Sequence, residues 1–253
     1  MMWIAYGPRL TILWRVAKIS ACLSRDGSNT VANVRPGELR LPAFILWIHF
    51  MNVRIFIDYW NFQLTWTERT GGARCDWTLL PGELTGAAAS LLINAGLGSL
   101  TLQETRVYAG YEAGREASLK NWLHNFLDRQ PGFRVFTSER HWRAHPVHCR
   151  SCGATTNSCP SCNAAFGRAA EKTIDARIVT DLIGLAWEGA YDVAVLVSSD
   201  KDFIPAVDYL QSKNIHVINA TWHGRGHELA KICWASFELD NFTAALTRPT
   251  RTS

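Results

Sequence analysis

No apolar run in the sequence is long enough to cross a bilayer, so the chain offers no candidate membrane span. The N-terminal segment also lacks the separate basic and apolar regions of a secretory signal, because Arg9, Arg15 and Lys18 are scattered among its apolar residues. Neither of the two common glycine-rich phosphate-binding loops follows a predicted strand, which disfavours a nucleotide-binding domain. Tandem repeats and low-complexity tracts are absent as well. We therefore expect a globular protein that does not enter a membrane.

The charge balance is mild and the cysteines are unevenly distributed. The 253 residues carry a net charge of +4, a small excess that favours contact with polyanions without demonstrating it. Hydrophobic residues make up 47% of the chain, which is enough for the core of one large domain. Four of the seven cysteines fall in one short cluster, which is typical of a metal site in a reducing compartment. We expect a cytoplasmic protein, and the sequence does not indicate its oligomeric state.

The first fifty residues fit poorly with the remainder of the chain. Residues Arg25 to Pro42 are polar and contain glycine and proline, as loops do, and Met51 lies immediately before the first core strand. We expect residues 1–50 to be an N-terminal extension without a defined fold, with Met51 as the natural start. The alternative is an amphipathic anchoring or partner-binding helix at Trp3–Ile19. At the other end, residues 247–253 are predicted to be a frayed basic tail.

From Met51 onward, strand patterns alternate with helix patterns. The predicted strands are Val53–Ile57, Arg106–Tyr111, Phe133–Thr137, Val193–Val197 and, as the last one, Ile215–Ile218. The predicted helices run from Pro81 to near Gly96, over Ala117–Arg129, from Ile174 onward, over Phe203–Leu210 and near Glu228–Trp234. Because crossovers between parallel strands are right-handed, this alternation predicts a doubly wound α/β sheet with helices on both faces.

The strand Val193–Val197 runs directly into an acidic segment that contains Asp200 and Asp202. Ligand sites of parallel sheets lie off the carboxyl ends of the strands. Two neighbouring carboxylates repel each other unless a cation lies between them or they cap the following helix. Taken alone, this segment is compatible with a metal site and with a helix cap.

Further polar side chains lie at a second strand end and at a helix start. The strand Val53–Ile57 ends on Asp58, and Asn61 follows three residues later. Asp175 lies in the first turn of a predicted helix, where a carboxylate interacts favourably with the helix dipole. Asp181 lies six residues further on, roughly 240° around the helix, so we expect it to point elsewhere.

In this order, the Asp-x-x-Asn strand end, the Lys-x-x-Asp helix start and the Ser-x-Asp-x-Asp-Phe strand end resemble the NYN domain, a family of PIN-like nucleases. The resemblance covers roughly residues 51–246. It implies a Rossmann-like, three-layer α/β/α sandwich with a mainly parallel sheet. It also implies that acidic residues at one edge of the sheet bind Mg²⁺ or Mn²⁺ and that the protein cleaves RNA.

The resemblance assigns roles to the residues at this edge. The predicted ligands of one or two divalent ions are the carboxylates of Asp58, Asp175, Asp200 and Asp202. Asn61 would orient a water or the scissile phosphate, and Ser198 or Ser199 would hydrogen-bond the same group. Two alternatives remain: a catalytically inactive RNA-binding regulator with the same fold, and an α/β phosphatase that acts on small phosphomonoesters.

Between the third predicted strand and Asp175, the chain carries two Cys-x-x-Cys pairs. Their four thiols, which can surround Zn²⁺ as a tetrahedron, belong to Cys149, Cys152, Cys159 and Cys162. Disulfides and a redox pair are alternatives that suit a cytoplasmic protein less well. A ligand set that includes a histidine from His141, His145 or His148 also remains open. We predict a structural zinc insertion at residues 145–166.

Basic and aromatic residues flank these cysteine pairs. Guanidinium groups contact phosphates and aromatic rings stack on unpaired bases, so such residues are typical of contact with single-stranded RNA. The predicted RNA-contacting residues are Arg140, Trp142, Arg143, Arg150, Arg168 and Lys172. The alternative is an ordinary solvated face.

Overall fold

A computed structural model of the chain describes residues 50–170 and 173–249. Residues 1–49 of the expected N-terminal extension, the alternative helix at Trp3–Ile19 and residues 250–253 lie outside these ranges, whereas Phe50 begins the first strand. Two residues that the sequence places in the C-terminal tail have defined contacts: Thr247 forms a β-bridge with Cys75, and the Arg248 N–H donates to the Arg74 carbonyl at 2.9 Å. No helix of the described ranges has the length and apolar character needed to span a membrane.

Seven strands form the main sheet of the described residues, in the order β6-β3-β2-β1-β7-β8-β9. The six parallel strands are β1 (Phe50–Asp58), β2 (Ser99–Glu112), β3 (Phe133–Ala144), β7 (Val193–Val197), β8 (His216–Thr221) and β9 (Ala235–Glu238). The short strand β6 (Gly167–Ala170) pairs with β3 in the antiparallel direction. A separate two-stranded ribbon consists of β4 (Val147–His148) and β5 (Thr155–Thr156).

The helices lie on both faces of this sheet. In chain order they are α1 (Tyr59–Thr70), α2 (Leu80–Asn94), α3 (Ala117–Asn125), α4 (Ile174–Trp187), α5 (Ile204–Gln211), α6 (His227–Ile232) and α7 (Thr243–Leu246). Residues alternate along each central strand between two apolar layers. In β7, for example, Val195 packs in the layer with α1 and α2, whereas Leu196 packs in the layer with α4 and α5. The predicted three-layer α/β/α sandwich is thereby confirmed.

The strand order reverses direction between β1 and β7. From β1 the chain moves outward through β2 and β3, and it then returns to place β7, β8 and β9 on the other side of β1. At such a switch point the connections leave the sheet in opposite directions, so a crevice opens at the carboxyl ends of the two strands. The two strand ends that carry Asp58 and Ser198 border this crevice.

Several predicted element boundaries are wrong. Ile215–Ile218 is not the last strand, because β9 follows α6 at the edge of the sheet. The third strand does not end at Thr137 but continues to Ala144, and its last residues, His141–Ala144, pair with β6. The helix predicted over Ala117–Arg129 ends as an α-helix at Asn125 and continues as a short 3-10 turn at Leu127–Arg129.

Asp181 takes part in a buried polar network of the second helical layer, away from the acidic edge. Its carboxylate accepts hydrogen bonds from Arg106 Nη1 and from the Tyr108 hydroxyl, both at 2.8 Å, and from Arg177 Nε at 3.0 Å. A buried carboxylate is stable only when it is paired and hydrogen-bonded in this way. The network therefore attaches α4 to β2.

Candidate active site

Asp58 is the last residue of β1 and also the N-cap of α1. Its Oδ1 accepts the backbone N–H of Asn61 at 3.3 Å, a typical cap that satisfies one of the free donors in the first helical turn. Its other oxygen, Oδ2, accepts the Ser198 hydroxyl at 3.3 Å. The junction between β1 and α1 thus fixes this carboxylate at the switch point of the sheet.

The end of β7 forms a second polar turn beside Asp58. The Ser198 hydroxyl, which donates to Asp58, accepts the backbone N–H of Asp200 at 3.1 Å. Asp200 in turn accepts the backbone N–H of Asp202 at 2.9 Å and begins a short 3-10 helix. The buried Asn219 of β8 supports the turn, because its amide donates to the Ser198 carbonyl at 2.9 Å. Ser198 therefore acts as a bridge between the two acidic strand ends.

Asn61 lies one helical turn after Asp58 and connects α1 with the same segment. Its Oδ1 accepts the Ser199 N–H at 2.9 Å. With the carbonyl oxygen engaged in this way, the NH₂ group of the amide is left as the donor for any group in the crevice. The Ser199 hydroxyl shares a hydrogen bond of 3.0 Å with Thr221 at the end of β8.

Asp175, in the first turn of α4, brings a carboxylate from a third element. Burial raises its pKa, and the negative charges of Asp200 and Asp202 raise the pKa further. Burial likewise raises the pKa of Asp58 to about 6, with smaller contributions from the charges of Asp175 and Asp200. The structure therefore brings the four predicted carboxylates into one electrostatic cluster, in which Asp58 is the most desolvated and Asp202 is exposed.

The cluster has the chemistry, but not the closed geometry, of a metal centre. Within residues 50–170 and 173–249, no three His, Cys, Asp or Glu side chains are arranged so that together they hold a metal ion. Mg²⁺ commonly binds to one or two carboxylates and keeps several of its waters. Desolvated carboxylates whose pKa values are raised by one another are stabilised by a nearby divalent cation, so the donor set fits such an ion.

A cavity of about 320 Å³ opens next to Asp58 and Asn61. The residues that line it are Asp58, Trp60, Asn61, Leu64, Thr65, Ser199 and Arg225. A larger cleft, of about 550 Å³, lies elsewhere and contains none of the predicted site residues. Arg225 and the supporting Thr221 were not predicted from the sequence. The available signal was a polar residue at the end of β8, followed by a loop with Gly224 and Gly226.

The two Cys-x-x-Cys pairs form turns of the same shape. In the first, Cys149 N–H donates to the Ala154 carbonyl at 2.8 Å, and Gly153 has a positive φ of 73°. The second repeats this pattern, with a bond of 2.8 Å from Cys159 N–H to the Ala164 carbonyl. All four thiols are free. They do not form a metal-holding group in the described chain.

The thiol that begins each turn receives backbone hydrogen bonds. The pKa of Cys149 is lowered mainly by the N–H of Cys152, and that of Cys159 mainly by the N–H of Ser161. Backbone donors that point at a sulfur favour the thiolate, which is the form that binds metal. Each turn is therefore suited to supply thiolate ligands.

The structure describes the side chains of four of the six predicted RNA-contacting residues. Arg140 donates to Glu116 at 2.7 Å and lies over the Trp60 ring, so its guanidinium is engaged beside the crevice. Trp142, Arg143 and Arg150 are exposed. The side chain of Arg168 and the whole of Lys172 lie outside the described part of the chain.

The parallel α/β/α sandwich, with its acidic switch point, defines the chain as an α/β protein with a PIN-like nuclease fold. The model of the NYN domain matches residues 52–239, so the chain belongs to the NYN domain family, which is part of the PIN-like nuclease superfamily. This match confirms the resemblance drawn from the three motifs. The matched range includes the cysteine insertion, but the match does not show that this insertion binds zinc.

The chain is also similar to a solved structure of a protein of unknown function from Vibrio parahaemolyticus. The two share 18% sequence identity with a TM-score of 0.47, over 76% of this chain and 94% of the other. No curated protein matches the chain.

The raised pKa of Asp58 predicts a pH dependence of stability. The folded carboxyl, with a pKa of about 6 against 3.8 for the ordinary group, binds its proton more tightly than the unfolded one. Its favourable contribution is therefore complete below pH 3.8 and is lost as the pH rises through about 6. The asparagine of the variant Asp58→Asn does not ionise and keeps its contribution at every pH. As the pH rises from 3.8 to about 6, the metal-free variant should therefore become more stable than wild type by up to about 3 kcal/mol of unfolding free energy.

Asparagine is suitable for this comparison because it keeps the helix cap while it removes the charge. Urea unfolding in the presence of a chelator, from pH 4 to 8, measures the difference. The exposed Asp208 of α5 provides the matched control, since Asp208→Asn makes the same chemical change outside the crevice. Parallel pH profiles for wild type and Asp58→Asn would contradict the assigned desolvation.

Proposed function

We propose that the protein is a metal-dependent endoribonuclease that hydrolyses phosphodiester bonds at the cluster of Asp58, Asp175, Asp200 and Asp202. The observation that carries this proposal is that carboxylates from three separate elements lie close enough at the switch point of an NYN domain to raise one another's pKa. Like charges that raise one another's pKa destabilise a fold, and such clusters are typical of functional sites.

The carboxylates would hold Mg²⁺ or Mn²⁺, with Asp58 as the innermost ligand and Asp202 as the outermost. The bound ion would supply Lewis-acid activation and neutralise charge at the phosphate. The chain contributes the orientation of the ligands. Ser198 directs Oδ2 of Asp58, and the cap of α1 directs Oδ1, so neither oxygen needs to reorganise when a cation arrives.

Asn61 would position the substrate. Because its carbonyl oxygen accepts from Ser199, its NH₂ group is available to donate to a non-bridging oxygen of the scissile phosphate. Ser198 and Ser199, which the motif assigned to the same task, instead use their hydroxyls on Asp58 and Thr221. Their role is to position the carboxylate and the adjoining loop.

RNA is the substrate that the family membership suggests. The exposed side chains of Trp142 and Arg143, at the end of β3, and of Arg150, on the insertion, provide a stacking surface and positive charge. The inactive RNA-binding alternative and the phosphatase alternative share the fold and differ in chemistry. The first predicts RNA binding without cleavage, and the second predicts hydrolysis of a small phosphomonoester without RNA.

Cleavage of labelled single-stranded RNA tests the proposal. With Mn²⁺ or Mg²⁺ the wild type should cut within the strand, and a chelator should stop the reaction. Asp58→Asn and Asp200→Asn should each lower the cleavage rate by at least about a hundredfold, since each removes a carboxylate ligand of the ion that neutralises charge at the phosphate. Asp208→Asn, on the exposed surface of α5, should cleave like wild type. Metal-independent cleavage, or full activity in the Asp58→Asn, Asp200→Asn double variant, would contradict the proposed mechanism.

We further propose that the two cysteine turns bind one structural Zn²⁺. Their matched backbone geometry and the lowered pKa of Cys149 and Cys159 support this assignment. Backbone hydrogen bonds to the sulfur are those that a thiolate ligand needs. A zinc ion would then fix the position of Arg150, which lies between Cys149 and Cys152, relative to the sandwich.

Elemental analysis of protein purified without chelator should find about one zinc per chain, and Cys149→Ser or Cys159→Ser should lose it. The buried Cys75, which lies outside the insertion, provides the control, because Cys75→Ser should retain zinc. The sandwich should still unfold cooperatively after the loss of zinc, while RNA binding weakens because the insertion loses its fixed shape. Zinc-free wild-type protein would contradict this assignment.

A further inference from the structure

Arg225 places a positive charge at the edge of the acidic crevice. It belongs to the loop 222–226 between β8 and α6 and lines the same cavity as Asp58, Asn61 and Ser199. Among the described residues that line this cavity, Arg225 is the only one with a cationic side chain. Its ion pair in the described chain is with Glu68 of α1 and not with Asp58. The guanidinium therefore lines the same cavity as Asp58 without pairing with it.

The backbone of this loop is attached closely to the site. Thr221 Oγ1 donates to the Arg225 carbonyl at 3.2 Å and shares the bond of 3.0 Å with the Ser199 hydroxyl. Gly226 has a positive φ of 63°, and a Cβ there would approach the Ser199 Cα to 2.9 Å. The loop can therefore lie this close to Ser199 only with glycine at position 226. These contacts give Arg225 a defined position relative to the crevice.

The guanidinium is oriented but remains accessible. Its Nη1 donates to the buried Thr65 at 3.1 Å, and its Nη2 donates to Glu68 at 2.5 Å. The side chains of Arg225 and Glu68 are 43% and 61% exposed, so their pair is screened by solvent and contributes little to stability. A phosphate can therefore replace Glu68 as the partner of Arg225 without leaving a buried charge unpaired. The planar fork of arginine suits this recognition better than a single ammonium group does.

We propose that this cavity is a subsite for one nucleotide of the RNA strand, next to the scissile bond, in which Arg225 donates to the phosphate. The proposal rests on the ribonuclease function proposed above. The cavity volume of about 320 Å³ lies within the range of small-ligand sites, roughly 300–1,000 Å³. The side chains of Trp60 and Leu64 give the cavity an apolar wall for the base or ribose. Leu64 is 62% exposed and can contact such a group.

Binding of a fluorescein-labelled single-stranded RNA is measured by anisotropy in an Asp200→Asn background, which keeps the RNA intact. Adding Arg225→Ala should raise the Kd about tenfold, as expected for the loss of one charge-assisted hydrogen bond. The slope of log affinity against log salt should become shallower by about 0.7, since one phosphate contact is lost. Arg225→Lys keeps the charge without the fork and should lose less.

Glu68→Gln is the matched control because it breaks the same ion pair from the other side. If Arg225 binds phosphate, Glu68→Gln should bind RNA more tightly than the background, since it frees the guanidinium and removes a negative charge. If the pair only holds the loop in place, Glu68→Gln and Arg225→Ala should weaken binding alike. Urea midpoints of both variants verify that the sandwich is intact. An unchanged Kd and salt slope in Arg225→Ala would overturn the subsite.

Cleavage kinetics with Asp200 intact separate this proposal from the function on which it rests. Arg225→Ala should raise KM for RNA about tenfold with little change in kcat, because the phosphate is held in both the ground state and the transition state. A wild-type protein that neither binds nor cleaves RNA would overturn the function and the subsite together. A wild type that cleaves RNA, with unchanged KM in Arg225→Ala, would overturn the subsite alone.

Discussion

The parallel pairing of β1 with β7 determines the position of each candidate catalytic group. Ile57 lies opposite Val197 in this ladder, so the next residues, Asp58 and Ser198, emerge side by side at the carboxyl edge. Their hydrogen bond of 3.3 Å then links the helix cap of α1 to the acidic turn after β7. A slip of one residue in this pairing would send the side chains of one strand to the opposite face and separate the two groups. The apolar layers on both faces prevent such a slip, because Val195 and Leu196 each have a packed environment.

The same arrangement places a destabilising cluster at the centre of a well-packed fold. Burial and the neighbouring carboxylates raise the pKa of Asp58 to about 6, so its ionised form opposes folding near neutral pH. The cap of α1 and the Ser198 hydroxyl offset part of this cost, since both favour the ionised form. Active sites commonly retain such unfavourable interactions because the ligand or substrate compensates them. Asp181, by contrast, is paired with Arg106, which is the arrangement of a buried carboxylate that serves stability.

The central part of the fold and the acidic edge were predictable because strong, local signals coincide there. Val53–Ile57 and Val193–Val197 are apolar runs that end on polar residues, and parallel strand ends meet at one edge. The strand β9 was not predictable in this way, since it is short, half-exposed and follows directly on a short helix. Arg225 was missed for a different reason. Its importance depends on Gly226 packing against Ser199, a tertiary contact between segments that are distant in the sequence.

The proposed nuclease activity depends on the ability of the carboxylate cluster to hold a divalent cation. Mn²⁺ is a direct probe, because its electron paramagnetic resonance signal distinguishes free ions from bound ones. Titration of wild-type protein should remove free Mn²⁺ from solution in a saturable way, and added Mg²⁺ should release it. The Asp58→Asn, Asp200→Asn double variant should lose this binding, whereas Asp208→Asn should retain it. Equal Mn²⁺ binding by all three proteins, or none by wild type, would contradict the assignment of this crevice as a metal-dependent nuclease site.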